Sequence, residues 1–136
     1  MRYIYLVLLL LVIFSCGKVS NEWKDGKGII YNAGKYRTYD NNELIIEAKK
    51  DGTLKYFLKD IGTNNIVAFS KYDFSKYHSW YLIYDENGLW FYSGDIGSVY
   101  WKKEKTSFKE IVLVKEKFIE YNSIIPSKLK EELEYW

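Results

Sequence analysis

From Trp80 to Ser93 the chain reads WYLIYDENGLWFYS, and this stretch limits the possible folds more than any other. Asp85-Glu86-Asn87-Gly88 carries the chemistry of a tight turn, so the runs on either side form a hairpin. Loops of two and of four residues give the same parity. Trp80, Leu82, Tyr84, Leu89 and Phe91 then share one face, and Tyr81, Ile83, Trp90 and Tyr92 share the other. Both faces are apolar. Such a ribbon has to be central, covered from two sides, or else leave an aromatic face in water.

A second hairpin can be read in register. Residues 44–48 and 54–58 flank Lys50-Asp51-Gly52. A three-residue loop pairs Leu44 with Leu58, Ile46 with Tyr56 and Ala48 with Leu54, which makes one face wholly apolar. The opposite face carries Ile45, Glu47, Lys49, Lys55, Phe57 and Lys59. A two-residue Asp-Gly turn would shift the parity and drive charges into the buried face. The pattern therefore selects three residues, with Gly52 supplying a positive φ at a bulge.

Similar short runs of β-branched and aromatic residues occupy 28–31, 35–39, 65–70, 98–102, 110–114 and 118–121. Aromatic residues form 19% of the chain, enough large side chains to fill the core of a small β domain. The expected fold is mostly β: an antiparallel meander, small barrel or sandwich of about eight strands. After Pro126 the period changes. Leu129, Leu133 and Trp136 lie at i, i+4 and i+7, the stripe of a short C-terminal helix with Ser127 as its cap, placed to cover a sheet edge or barrel mouth.

The start of the chain has a different character. Arg2 is followed by an uncharged run from Tyr3 to Phe14. Twelve helical residues span about 18 Å, short of the roughly 30 Å hydrocarbon core, so the run suits a signal peptide better than a permanent span. It ends in Ile13-Phe14-Ser15-Cys16, which resembles the lipobox of bacterial lipoproteins: aliphatic at −3, small at −1, then cysteine. The resemblance covers only the leader, and it implies cleavage between Ser15 and Cys16. It also implies a covalent diacylglyceryl group on the Cys16 thiol and an N-acyl chain on its new amino terminus. Two or more acyl chains hold a protein stably at a membrane. The division that follows is residues 1–15 as signal peptide, 16–27 as lipidated tether and 28–136 as a single β-rich domain. Gly17 stands where an inner-membrane retention Asp would be expected. The implied location is the cell envelope, with the outer membrane favoured where there are two. Cys16 is the only cysteine, so the domain has no disulfide and depends on packing.

The composition narrows the chemistry. A net charge of +2, with lysines and acids interleaved, gives no basic footprint for nucleic acid. His78 is the only histidine, and the only cysteine, Cys16, is committed to lipid in this reading, so neither a Cys/His zinc site nor a Cys–His dyad is expected within one chain. No nucleophile elbow, P-loop or dinucleotide fingerprint is present. No metal, no cofactor other than the covalent lipid, and no catalytic residue is expected. His78 reads as a surface loop residue.

One constellation stands out. Asp95 lies in the loop Ser93-Gly94-Asp95-Ile96-Gly97-Ser98, flanked by Trp90, Tyr92, Tyr100 and Trp101. Aromatic platforms beside a carboxylate can hold a sugar, and the same residues equally describe a glycine-bounded turn between two aromatic core strands. These five are the candidate binding residues. The expected function is a non-catalytic, lipid-anchored binding or interaction module with a membrane and an envelope protein or glycan as partners; an inhibitor or immunity lipoprotein is one specific form. The alternatives are a barrel-type carrier of an apolar or glycan ligand and, further off, a glycan hydrolase using Asp95 with a second carboxylate.

Overall fold

The computed structural model describes residues 22–133. The leader, Ser15, Cys16 and Trp136 lie outside the described residues. Ten strands and two short helices follow in order: β1 (Gly28–Ile30), β2 (Gly34–Arg37), β3 (Asn42–Ala48), β4 (Thr53–Asp60), β5 (Ile66–Phe69), β6 (Phe74–Ser75), β7 (Trp80–Asp85), β8 (Gly88–Ser93), β9 (Gly97–Lys103), β10 (Phe108–Val112), α1 (Lys115–Tyr121) and α2 (Ser127–Leu133). They form two antiparallel sheets. Sheet 1 has the order β1-β7-β8-β9-β10, and sheet 2 the order β2-β3-β4-β5, with β6 on β4 beyond β5. The described residues form no closed barrel, because β5 and β10 approach each other without pairing.

The two-faced ribbon is β7–β8, at the middle of sheet 1. Its loop is the two-residue one, with Asp85 paired to Gly88, Tyr84 to Leu89 and Leu82 to Phe91. A Cβ on Gly88, whose φ is +134°, would lie 2.1 Å from the Trp101 carbonyl oxygen, so only glycine fits this close approach to β9. One ribbon face, with Leu82, Tyr84, Leu89 and Phe91, packs against Leu44, Ile46, Leu54, Tyr56 and Leu58 of sheet 2. The other, with Tyr81, Ile83 and Trp90, packs against Leu129 and Leu133 of α2 and the half-buried Phe118 and Tyr121 of α1. The molecule is thus three layers deep: sheet, sheet, helices.

The β3–β4 hairpin adopts the three-residue loop. Leu44 pairs with Leu58, Ile46 with Tyr56 and Ala48 with Leu54, and Gly52 has φ +87°. On its outer face Glu47 pairs with Lys55 and Glu43 with Lys59, in both register and charge.

Among the described residues ten strands build the mostly β fold expected, and β6 is a two-residue strand without a legible pattern. Some expectations need correction. Residues 118–121 are helical. Phe118 and Tyr121, three apart, reach the sheet together while Ile119 between them is exposed, a helical spacing that mimicked alternation. Helix α2 covers a sheet face, not an edge or a mouth, and Ser127 is its first residue. Ahead of β1, Glu22 forms a bridge with Ile29, and Trp23 meets Tyr36 edge-on at 5.6 Å.

A polar knot ties the two sheets together. Asp40, in the β2–β3 turn, accepts hydrogen bonds from Thr38, from Tyr84 of β7 (2.7 Å to Oδ2) and from Lys103 of β9. Asn42 donates to the same Tyr84 hydroxyl at 3.3 Å. Burial opposes ionisation of Asp40, but the Lys103, Thr38 and Tyr84 bonds together outweigh it and hold its pKa below the ordinary value. Burial likewise opposes the Lys103 charge, and its bond and attraction to Asp40 prevail, raising its pKa. The sign follows for each group. Asp40 stabilises the fold fully above the ordinary carboxylate pKa, and this is lost as pH falls through its depressed value. Lys103 stabilises it below the ordinary lysine pKa, and this is lost as pH rises through its raised value. Asp40→Asn is expected to cost about 1–3 kcal/mol at pH 7. It should also flatten the pH dependence at both extremes, as measured by urea unfolding at pH 3, 7 and 11. A variant as stable as wild type at pH 7 would contradict this account.

Candidate functional site

The sheet separates the five residues that sequence places together. Trp90 and Tyr100 face the helices, fully buried, and stack on each other at 3.6 Å and 4° across β8 and β9. Their polar tips are satisfied from one turn. The Trp90 Nε1 donates to the Asp85 carboxylate at 3.2 Å, and the Tyr100 hydroxyl donates to the Asn87 carbonyl at 2.8 Å. Burial raises the Asp85 pKa against the lowering effect of the Trp90 and Asn87 bonds. This stack is core, with no face left for a ligand. Tyr92, half-buried on the same side, stacks on Tyr81 at 5.0 Å.

Asp95 closes a loop. Its carboxylate accepts from the Ser93 hydroxyl and from the Ser75 backbone N–H at 2.9 Å, tying the β8–β9 turn to β6. Burial would raise its pKa, but the Ser93 and Ser75 bonds carry it below the ordinary value. His78 is exposed in the neighbouring loop. The described residues contain no group of three potential metal ligands.

Trp101 is the exception. It alternates with Tyr100 and so faces sheet 2, where its Nε1 donates to the Tyr56 hydroxyl at 3.0 Å. Burial pushes the Tyr56 hydroxyl well above its ordinary pKa, so it stays neutral. Trp101, Tyr56 and Phe91 form the floor of a cleft of about 540 Å³ between the facing edges of β5 and β10. Phe69, Tyr72, Ile96, Val112 and Val114 line its mouth, each between 40% and 67% exposed. The register explains two of the walls: Glu110 pairs with Trp101 and Val112 with Val99, so both side chains lie on the inter-sheet side of β10. Phe69 brings its ring within 6.0 Å of the Trp101 ring. Five large apolar side chains left in water around one opening depart from the scatter of single exposed hydrophobics normal on a soluble surface. The volume falls in the range of small-ligand sites, about 300–1,000 Å³.

Only Trp101 of the sequence candidates belongs to this cleft. Phe69, Val112 and Val114 lie within the strand runs 65–70 and 110–114, and Tyr72 lies outside every run that the sequence pattern marks. Their convergence depends on how the two sheets face each other, which periodicity does not encode. The buried hydroxyl of Ser98 has no hydrogen-bond partner, alone in this respect among the described residues. Ser98 pairs with Tyr92, so that hydroxyl belongs to the helix-facing side.

No protein-family model, curated protein or solved structure matches this chain.

If Asp95 is a loop clasp, Asp95→Ala should lower stability by about 1 kcal/mol, a modest figure because the carboxylate is solvent-screened. Equilibrium urea unfolding measures it, and an unchanged midpoint would remove the structural role.

Proposed function

We propose that this chain is a lipid-anchored protein of the cell envelope whose β domain is a non-catalytic binding module, with the inter-sheet cleft as its binding site. One observation carries the second half of this reading: the exposed Phe69, Tyr72, Ile96, Val112 and Val114 surround one opening whose floor is Trp101, Tyr56 and Phe91. The first half rests on the leader and on Cys16 in its lipobox context. Among the lining side chains only Ser70, Lys71, Glu110 and the hydroxyls of Tyr56 and Tyr72 are polar, and the Tyr56 hydroxyl is engaged by Trp101, so the side chains present mainly apolar surface. Apolar surface is therefore what the cleft recognises. Asp95 is engaged with Ser93 and Ser75, which favours binding over carboxylate hydrolysis.

The two halves are tested separately. Cys16→Ser should abolish incorporation of labelled palmitate and release the protein from washed membranes; membrane retention and labelling equal to wild type would sink the anchor. For the cleft, full-length protein extracted from membranes in mild detergent is compared by native mass spectrometry. Val112→Asp should reduce the stoichiometric co-purifying species at least fivefold. Ile119→Asp, an equally exposed apolar position on α1 away from the cleft, should not. Equal recovery from both variants would dissociate the cleft from binding.

A further inference from the structure

The two sheet edges that flank the cleft are open. In β9–β10 the Leu113 N–H donates to the Ser98 carbonyl, and the Glu104 N–H to the Ser107 carbonyl. Antiparallel pairs alternate between hydrogen-bonded and non-bonded, so 107, 109, 111 and 113 point their backbone groups at β9. Phe108, Glu110 and Val112 therefore point theirs outward. The Val112 carbonyl is taken by the Val114 N–H. Among the described residues no strand pairs with this outer edge, so the N–H groups of 108, 110 and 112 and the carbonyls of 108 and 110 face the opening. Across the gap, the Ser70 N–H donates to the Tyr56 carbonyl, which by the same alternation turns the backbone of Phe69 outward.

The cleft thus presents a row of backbone donors and acceptors beside an apolar trough. Its charges are of both signs: Lys71 and Glu110 are exposed and neither forms an ion pair with a described residue. An anionic amphiphile would match Lys71 but meet Glu110, and would leave the edge unpaired. An extended backbone fits all three features. It offers alternating N–H and C=O groups at strand spacing, it is neutral as a chain, and it sends every second side chain to one face.

We propose that the occupant of the cleft is an extended polypeptide segment of a partner protein, added as a strand to the outer edge of β10 with alternate apolar side chains seated against Trp101, Phe69 and Val112. This rests on the cleft being the binding site and goes further by naming the ligand class and its mode of attachment.

The test uses the full-length lipidated protein in nanodiscs, with empty nanodiscs as blank. The probe is a fluorescent pool of acetylated heptapeptides carrying valine, isoleucine, leucine, phenylalanine or tyrosine at alternate positions and threonine between. Anisotropy should rise saturably with wild type. The same pool N-methylated at alternate backbone nitrogens, on either edge, should bind at least tenfold more weakly for one of the two patterns. Glu110→Pro removes an N–H that points away from β9, a substitution an edge strand tolerates. It should weaken binding at least tenfold with its unfolding midpoint retained, whereas Glu110→Thr, which keeps the N–H and drops the charge, should bind like wild type. Equal binding of both methylated pools, or equal loss in the Pro and Thr variants, would overturn strand addition. If the pool fails to bind while Val112-dependent co-purification persists, strand addition falls and the binding reading stands. Should both fail, both fall.

Discussion

The β7–β8 ribbon has no polar face, and the remaining architecture answers that constraint. Trp90, Tyr84, Phe91, Leu82 and Leu89 are all fully buried, some toward sheet 2 and some toward the helices. Each large side chain removed from water contributes about 1.5–3 kcal/mol, so their sum greatly exceeds any single polar contact in the molecule. Two covers are required, and the chain supplies them from opposite ends of the sequence. Sheet 2 comes largely from residues 34–69 and the helices from residues 115–133. The polar atoms that accompany aromatic burial are met locally. Asp85 and Asn87 serve Trp90 and Tyr100, and Asp40 serves Tyr84. Burial provides the stability, and these bonds fix the alignment of one layer on the next.

The arrangement also explains why one side remains open. The helices cover the far face of sheet 1 and do not reach between the sheets. Strand β6 continues along the edge of β4 beyond β5, so nothing extends sheet 2 toward β10. Polar bonds join the two sheets where Asp40 of the β2–β3 turn meets Tyr84 and Lys103 and where Trp101 meets Tyr56, while β5 and β10 approach each other without pairing. Two edges that approach without pairing leave the cleft between them. Phe69, Tyr72, Ile96, Val112 and Val114 bring apolar side chains to its mouth beside the exposed charges of Lys71 and Glu110. That choice of residues is the physical basis for reading the opening as a site.

Much of the fold could be read in advance, and for identifiable reasons. Register is recoverable where one face is uniformly apolar and the other carries paired charges. The β3–β4 hairpin meets that condition through Leu44, Ile46, Leu54 and Leu58 against Glu43, Glu47, Lys55 and Lys59. The demand for two covers was equally legible, because it depends only on parity along 80–93. Residues 118–121 misled because four residues sample both periods: Phe118 and Tyr121 satisfy a helix while the run looks alternating. The candidate site was least legible. Tyr100 and Trp101 are neighbours in sequence, yet the pleat sends Trp101 toward sheet 2 and Tyr100 onto Trp90 beneath the helices.

By itself the sequence determined a β-rich domain, the register of its best-patterned hairpin, and a central ribbon needing cover on both faces. All of these are local, since they follow from period, parity and turn chemistry within about 15 residues. Tertiary structure decided that the covers are a second sheet and a helical pair, that Asp40 joins layers, and that β5 and β10 approach without pairing. It also decided which apolar residues stay in water. Phe69, Tyr72, Ile96 and Val112 come together only through the facing of two sheets, a relation among segments distant in the chain that no single window of residues contains.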